Sequence, residues 1–246
     1  MERILTCRND LADIGLKFRS STPGAETLLV ENFIDFYCSR FLRRFKTQNL
    51  AFFVEPQLAS GCPDIVFAHY APAFAESSWS EVRDGLNTED FKVLSFLIQT
   101  GGVNGKELVS KLRLPESRAL NSLEKLLDSK WISRTDRCWR PSGVGRNFGL
   151  TKLVAIEAKI NAMGRVTAQA VANSWFASHS FALTDTPRPR PATLASLARQ
   201  GIGLYCKGKQ FRKALDSRTR PLPSSYASLL FNEWVAKAVL HRKAAS

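Results

Sequence analysis

The chain has 246 residues, 44% hydrophobic and 23% charged, which is enough apolar material for a sizeable core and excludes a disordered chain. No apolar run reaches the roughly 18 residues of a membrane span. The first thirty residues, interrupted by Arg3, Arg8, Asp10, Asp13 and Lys17, hold no signal-peptide core, so a cytoplasmic location is expected. Lys and Arg number 35 against 22 Asp and Glu, a formal charge of +13, and such an excess draws polyanions, nucleic acid ahead of an anionic membrane surface.

The length suits one full domain plus a small one. Residues 1–20 are mixed and read as a short strand or an arm. Ser21-Thr22-Pro23-Gly24 reads as a helix start with a capping hydroxyl, followed by a helix over about 23–45 that buries Leu29, Phe33, Phe36 and Phe41. Apolar runs at 50–54 and 62–68 predict two strands, and 71–86, with Pro72, two serines and Gly85, reads as a linker. The period then becomes helical over 88–100, 104–112 and 116–129, the last with Ala119, Leu120, Leu123, Leu126 and Leu127 inward. Trp131–Arg134 and Cys138–Arg140 bracket a polar tip and predict a small hairpin. Three short helices plus a two-stranded wing are the parts of a winged helix-turn-helix.

Residues 141–149, with three glycines and a proline, read as the return linker. A strand over 153–160, a helix over 165–178, a strand at 181–183, a short helix over 194–200, a strand at 202–205 and a closing helix over 226–243 complete the chain. The predicted class is α/β: a mixed-sheet core of residues 1–86 and 146–246 with an insert at 87–145. A hairpin tip suits such an insert because its strand ends are close and exposed. The five cysteines Cys7, Cys38, Cys62, Cys138 and Cys206 form no close pair, so neither a disulfide framework nor a zinc knuckle is expected. The five tryptophans, Trp79 among them, read as core or interface packing.

Charge interrupts the core strands at two places. Asp64 stands in the second run, and Glu157 and Lys159, two residues apart, share one face of the third. Singly, Asp64 reads as a turn residue and Glu157–Lys159 as a same-face ion pair on a half-exposed strand. Together, buried near one another, they need a balancing charge. A divalent cation meets that need, with Mg2+ or Mn2+ held by Asp64 and Glu157 and by the Ala158 or Ile160 backbone carbonyl. Lys159 would then sit beside the attacking water or the scissile phosphate. Glu26 is the chosen third acid from the first helix, with Glu31 its rival.

Pro63-Asp64 followed by Glu157-Ala158-Lys159 resembles the signature of the PD-(D/E)xK nuclease superfamily, the restriction-endonuclease-like fold. In that family an acid–x–lysine follows an apolar strand, a catalytic Asp precedes it, and a preceding helix often supplies a Glu, as Glu26 would. Gln169 resembles the glutamine many members carry on the next helix, and Ile202-Gly203-Leu204 their late glycine-containing strand. Asp64 and Glu157 lie 93 positions apart where members usually have a hairpin, and the insert accounts for the gap. The resemblance covers about 22–70 and 150–206 and implies hydrolysis of phosphodiester bonds in DNA, but not the subfamily or the cutting mode. The expected enzyme is an Mg2+- or Mn2+-dependent deoxyribonuclease, an endonuclease, with the insert holding duplex DNA.

On the helix over 116–129, Ser117, Arg118, Asn121, Ser122 and Lys125 are placed outward to touch DNA, with Arg134, Arg137 and Arg140 in the wing. That module carries ten Lys/Arg against seven Asp/Glu over 87–140, so protein docking competes with DNA contact. Residues 188–220 are more one-sided, with Lys207, Lys209, Arg212 and Lys213 among nine cations facing Asp216 alone, and they are the expected site of phosphate contact. The alternatives are a non-catalytic DNA-binding or regulatory protein and an assembly subunit. A homodimer and a protein partner in a larger DNA-processing complex stay open, and no membrane partner is expected.

Overall fold

The computed structural model describes residues 3–8, 14–20, 22–59, 61–73, 81–160 and 162–244. Ser21 of the expected capping sequence and Trp79 lie outside the described residues. The chain divides into two compact units, Met1–Pro72 with Leu150–Ser224, and Ala73–Gly149 with Ser225–Ser246. No helix among the described residues is long and apolar enough to cross a membrane.

Among its described residues the first unit is an α/β structure on a seven-stranded mixed sheet. Its elements are β1 (Ile4–Cys7), α1 (Ala25–Arg44), β2 (Asn49–Val54) and β3 (Ile65–Tyr70). After the interruption at Ala73–Gly149 the sheet resumes with β7 (Leu150–Lys159) and β8 (His179–Thr184), then β9 (Gly203–Lys207) and β10 (Phe211–Leu215). Strand order is β1-β2-β3-β7-β8-β9-β10. The pairs β1–β2, β7–β8 and β8–β9 are parallel, and β2–β3, β3–β7 and β9–β10 antiparallel.

One face of this sheet is covered by α1, whose Leu29, Phe33, Ile34 and Phe41 pack with Phe67, Ile156 and Leu183. The other face carries Val166 and Ala170 of a helix over Met163–Asn173 and Leu197 of a helix over Pro191–Gln200, packed against Ala182, Leu204 and Cys206. With both faces covered, the central strands read as unbroken apolar runs, and a charge inside one is conspicuous. Helix α1 takes Gly24 as its N-cap rather than a residue with a hydroxyl, so no side chain caps it from that position. Strand β10 was not expected, since Arg212 and Lys213 break its apolar pattern. It is an edge strand, where charge discourages further pairing.

The second unit runs through α2 (Glu81–Asp84), α3 (Thr88–Thr100), β4 (Val103–Asn104), α4 (Gly105–Leu112) and α5 (Glu116–Asp128). Then come β5 (Ile132–Thr135), β6 (Cys138–Pro141), α6 (Val144–Asn147) and a C-terminal helix over Tyr226–Ala244. The helices of the first unit over 163–173 and 191–200 are α7 and α8, and the C-terminal helix is α9. Strands β4, β6 and β5 form an antiparallel sheet in that order. Asn87 caps α3 in a reciprocal box with Asp90.

Several expectations fail here for packing reasons. Leu120 and Leu127 lie outside the inner face of α5, at 49% and 37% exposure, because Ala119, Leu123 and Leu126 fill it. Ser122, placed outward for DNA, is buried and donates to Asp90 Oδ1 at 2.6 Å. The stretch 141–149 is not a loose linker. A side chain at Gly143 would start 1.9 Å from the Lys130 carbonyl oxygen, and buried Asn147 donates to that oxygen at 3.1 Å. The closing helix α9, expected in the core, belongs to the second unit with residues 73–86: Leu229 joins the cluster of Phe91, Leu94 and Trp131, and Glu233 binds Arg83.

Candidate active site

In the first unit, β3 and β7 pair from Tyr70 opposite Leu150 to Ile65 opposite Ile156. One further step of this register sets Asp64 beside Glu157, and the alternation of side chains puts both on one face, with Lys159 at the end of β7. The pairing reunites residues separated by 93 positions in the chain.

Each acid is held by a different group. Asp64 Oδ2 accepts the Ala158 N–H at 2.7 Å, and the Arg19 guanidinium stands 3.7 Å from Oδ1. Glu157 is 2% exposed; its Oε1 accepts from Asn173 Nδ2 at 2.6 Å, and its Oε2 is buried with no hydrogen-bond partner among the described residues. Lys159 Nζ donates to Glu26 Oε2 at 2.8 Å. Asp64, Lys159 and Glu26 line one cavity of about 360 Å³ together with Arg19, Glu31 and Glu55.

Burial dominates the titration of the pair. It raises the Asp64 carboxyl against the opposing pull of the Ala158 N–H, Lys159 and Arg19. It also raises Glu157, to about 8, with the Asp64 charge adding to the shift and Asn173 and Lys159 resisting it. Burial works against the Lys159 ammonium, but the Glu26 hydrogen bond and the charges of Asp64, Glu26 and Glu157 outweigh it, so its affinity for the proton is raised. Lys159 is therefore a fixed positive charge rather than a base.

No protein-family model, curated protein or solved structure matches the chain. Of the sequence-predicted set, Asp64, Glu26 and Lys159 share the cavity, with Glu157 buried alongside Asp64. Glu31 lines the same cavity but is engaged by Arg8 at 2.8 Å, which leaves Glu26 as the acid that reaches Lys159. Ala158 touches the site through its N–H. Ile160 lies half-buried against the α1-side core and is not part of the cavity lining. The Gln169 Oε1 is buried without a hydrogen-bond partner among the described residues, and it is Asn173, one turn further along α7, that makes the bond to Glu157.

Arg19, Glu55 and Asn173 were missed. Glu55 follows β2 with φ 55°, a conformation costly for a residue with a side chain. Its N–H donates to the Asp64 carbonyl at 3.0 Å, and its carboxylate pairs with Arg19. The available signal was a carboxylate closing an apolar strand directly before Pro56.

The basic residues have different settings. Ser117 and Asn121 are exposed on α5, whereas Arg118 pairs with Glu89, and Lys125 stands 3.8 Å from Asp90. Arg134 lies over the Trp139 ring at 5.1 Å, and Arg137 is exposed at the hairpin tip. In the first unit Lys209 is exposed and Lys207 lies over Phe211 at 5.8 Å. Arg212 donates to the Pro187 carbonyl at 2.7 Å, and Lys213 pairs with Asp216.

Proposed function

We propose that the chain is a metal-dependent deoxyribonuclease, an endonuclease on duplex DNA, with a core of the PD-(D/E)xK kind and an inserted winged helix-turn-helix. One observation carries the reading: Asp64, Glu157 and Lys159 lie at one end of the β3–β7 pair, and a buried carboxylate oxygen there has no partner among the described residues. Burial raises the Glu157 carboxyl to about 8, so near neutral pH it keeps a proton unless a cation takes that proton's place.

Among the described residues no group of three or more His, Cys, Asp or Glu is arranged to hold a metal ion. Mg2+ needs no such group, because it is commonly held by one or two carboxylates and completes its shell with phosphate oxygens and water. The free oxygen of Glu157 and the carboxylate of Asp64 fit that requirement. Mg2+ or Mn2+ bound there would polarise the scissile phosphate. The chain's own residues do the remaining work. Asn173 and the Ala158 N–H fix the two carboxylates, and Glu26 holds Lys159 so that its ammonium offsets charge growing on the phosphorus-bound oxygens.

The order helix, strand, helix, helix, strand, strand in the second unit supports the winged-helix reading. Because Glu89 and Asp90 already engage Arg118 and Lys125, exposed Asn121, Ser117 and Arg137 are the better candidates there for DNA. Lys207, Lys209, Arg212 and Lys213 supply sequence-independent phosphate contact, which weakens with salt.

The test is cleavage of plasmid DNA with Mg2+ or Mn2+ by the wild type, Asp64→Asn and Lys159→Ala. Cleavage should fall about a thousandfold in each, near the top of the range for losing one electrostatic element of a site, with DNA binding preserved. Unchanged cleavage in both variants would leave only DNA binding.

A further inference from the structure

The opposite end of β7 carries a second cavity, about 340 Å³, whose character is the reverse of the first. Lys152 and His69 face each other there across β3 and β7. Seven residues of strand, about 23 Å at 3.3 Å each, separate Lys152 from Lys159. The last turns of α1 add Arg40 and Arg44, and Lys213 comes from β10. Asp216 is the one carboxylate in the lining, and Lys213 already pairs with it. Arg40, Arg44 and Lys152 have no carboxylate within ion-pair distance among the described residues.

Three further features make this a built pocket. Ser217 lines it, and its Oγ is buried with no hydrogen-bond partner among the described residues. Burial, followed by Lys213 and Arg44, lowers the proton affinity of Lys152, so its ammonium is held against local repulsion. The imidazoles also add no charge: burial and Lys152 bring His69 down to about 3 and His179 to about 4. His69 is further committed to the Tyr37 hydroxyl at 2.9 Å. Arg40, Arg44 and Lys152, gathered without a paired carboxylate among the described residues, are stabilised by an external anion. The volume far exceeds that of a bare phosphate, since one water takes about 30 Å³, and Phe41, Phe45 and Phe181 give the remainder an apolar wall.

We propose that this cavity binds a nucleoside 5′-phosphate, its phosphate among Arg40, Arg44, Lys152 and Lys213 and its base and sugar against the phenylalanine wall. The ligand is a free mononucleotide or the phosphorylated end of a DNA strand. The inference does not rest on the nuclease reading, because none of these residues belongs to the carboxylate site and only Lys213 is shared with the proposed DNA contacts.

Calorimetry on the full chain with dAMP, inorganic phosphate and deoxyadenosine tests it. Saturable dAMP binding is expected, at least tenfold tighter than phosphate, with deoxyadenosine weaker still. Lys152→Met and the exposed Arg40→Gln should each weaken dAMP about tenfold, the worth of one charge-assisted hydrogen bond. Asp64→Asn should leave it unchanged, which separates this result from the fate of the nuclease reading. Lys152→Met should also raise the melting temperature of the ligand-free protein, an effect a structural lysine would not show. Competition with dAMP by a 5′-phosphorylated oligonucleotide, but not its 5′-hydroxyl counterpart, would assign the strand end, and competition by neither the free nucleotide. Absence of dAMP binding at millimolar concentration, binding no tighter than phosphate, or indifference to both substitutions would overturn the proposal.

Discussion

The two units each bury charge, and they complete it differently. In the second unit Arg83 is 1% exposed, and it is fully answered from within. Its Nε and one terminal nitrogen reach the two Glu233 oxygens at 2.7 and 2.6 Å, the Asn147 carbonyl accepts at 2.7 Å, and the Trp131 ring lies 5.1 Å away. In the first unit Glu157 is as deeply buried, yet among the described residues only one of its oxygens has a donor. A buried ion pair with every atom satisfied belongs to the architecture. A buried carboxyl left half-satisfied inside a well-packed strand pair is an exception that the packing of the unit does not explain.

Arg83→Ala should break this comparison at its paired side. Removing one partner of a buried pair strands the other, at a cost of about 3–5 kcal/mol, read as a lowered urea midpoint. Replacing both residues, as Arg83→Met with Glu233→Leu, should recover most of that loss. A loss below 1 kcal/mol for the single change would show that the pair does not hold the second unit together.

Glu157→Gln sharpens the other side. It removes a charge that burial and Asp64 both oppose, while keeping an oxygen for Asn173. The metal-free variant should be more stable than the wild type near pH 8 by about 1 kcal/mol, or a few degrees in melting temperature. A fall in stability would mean that the carboxylate is structural after all.

The smallest effect concerns the histidines at the far end of β7. His69 and His179 are neutral when folded and take up protons more readily when unfolded, because burial and then Lys152 lower them in the native state. Their contribution to stability is thus complete above about pH 6.5 and is lost as pH falls toward about 4 and then about 3. The groups facing them are Lys152, Lys213 and Asp216. His179→Gln should flatten the acid limb of a stability–pH curve, and an unchanged limb would place the acid sensitivity elsewhere.

Much of this organisation was legible in the sequence. Alternating elements and the shift to a helical period at 88 gave the α/β core and the interrupting bundle, because local periodicity records which face is buried. Asp64, Glu157 and Lys159 stood out because charge within a strand covered on both faces is rare. The identity of their supports was not legible. Asn173 rather than Gln169 reaches Glu157 because the registration of α7 on the sheet decides which turn faces the carboxylate, and periodicity alone does not fix that. The place of α9 was hidden for a related reason: its apolar residues suit any core, and only the distant pairing of Glu233 with Arg83 assigns it.

The most direct test is Mn2+ binding, by calorimetry, to the wild type and to Asp64→Asn and Glu157→Gln without DNA. Saturable binding of one ion to the wild type, weakened at least tenfold by either substitution, is the predicted result. Equal affinity in all three proteins would contradict it, because the oxygen left without a partner would then have no cation to hold.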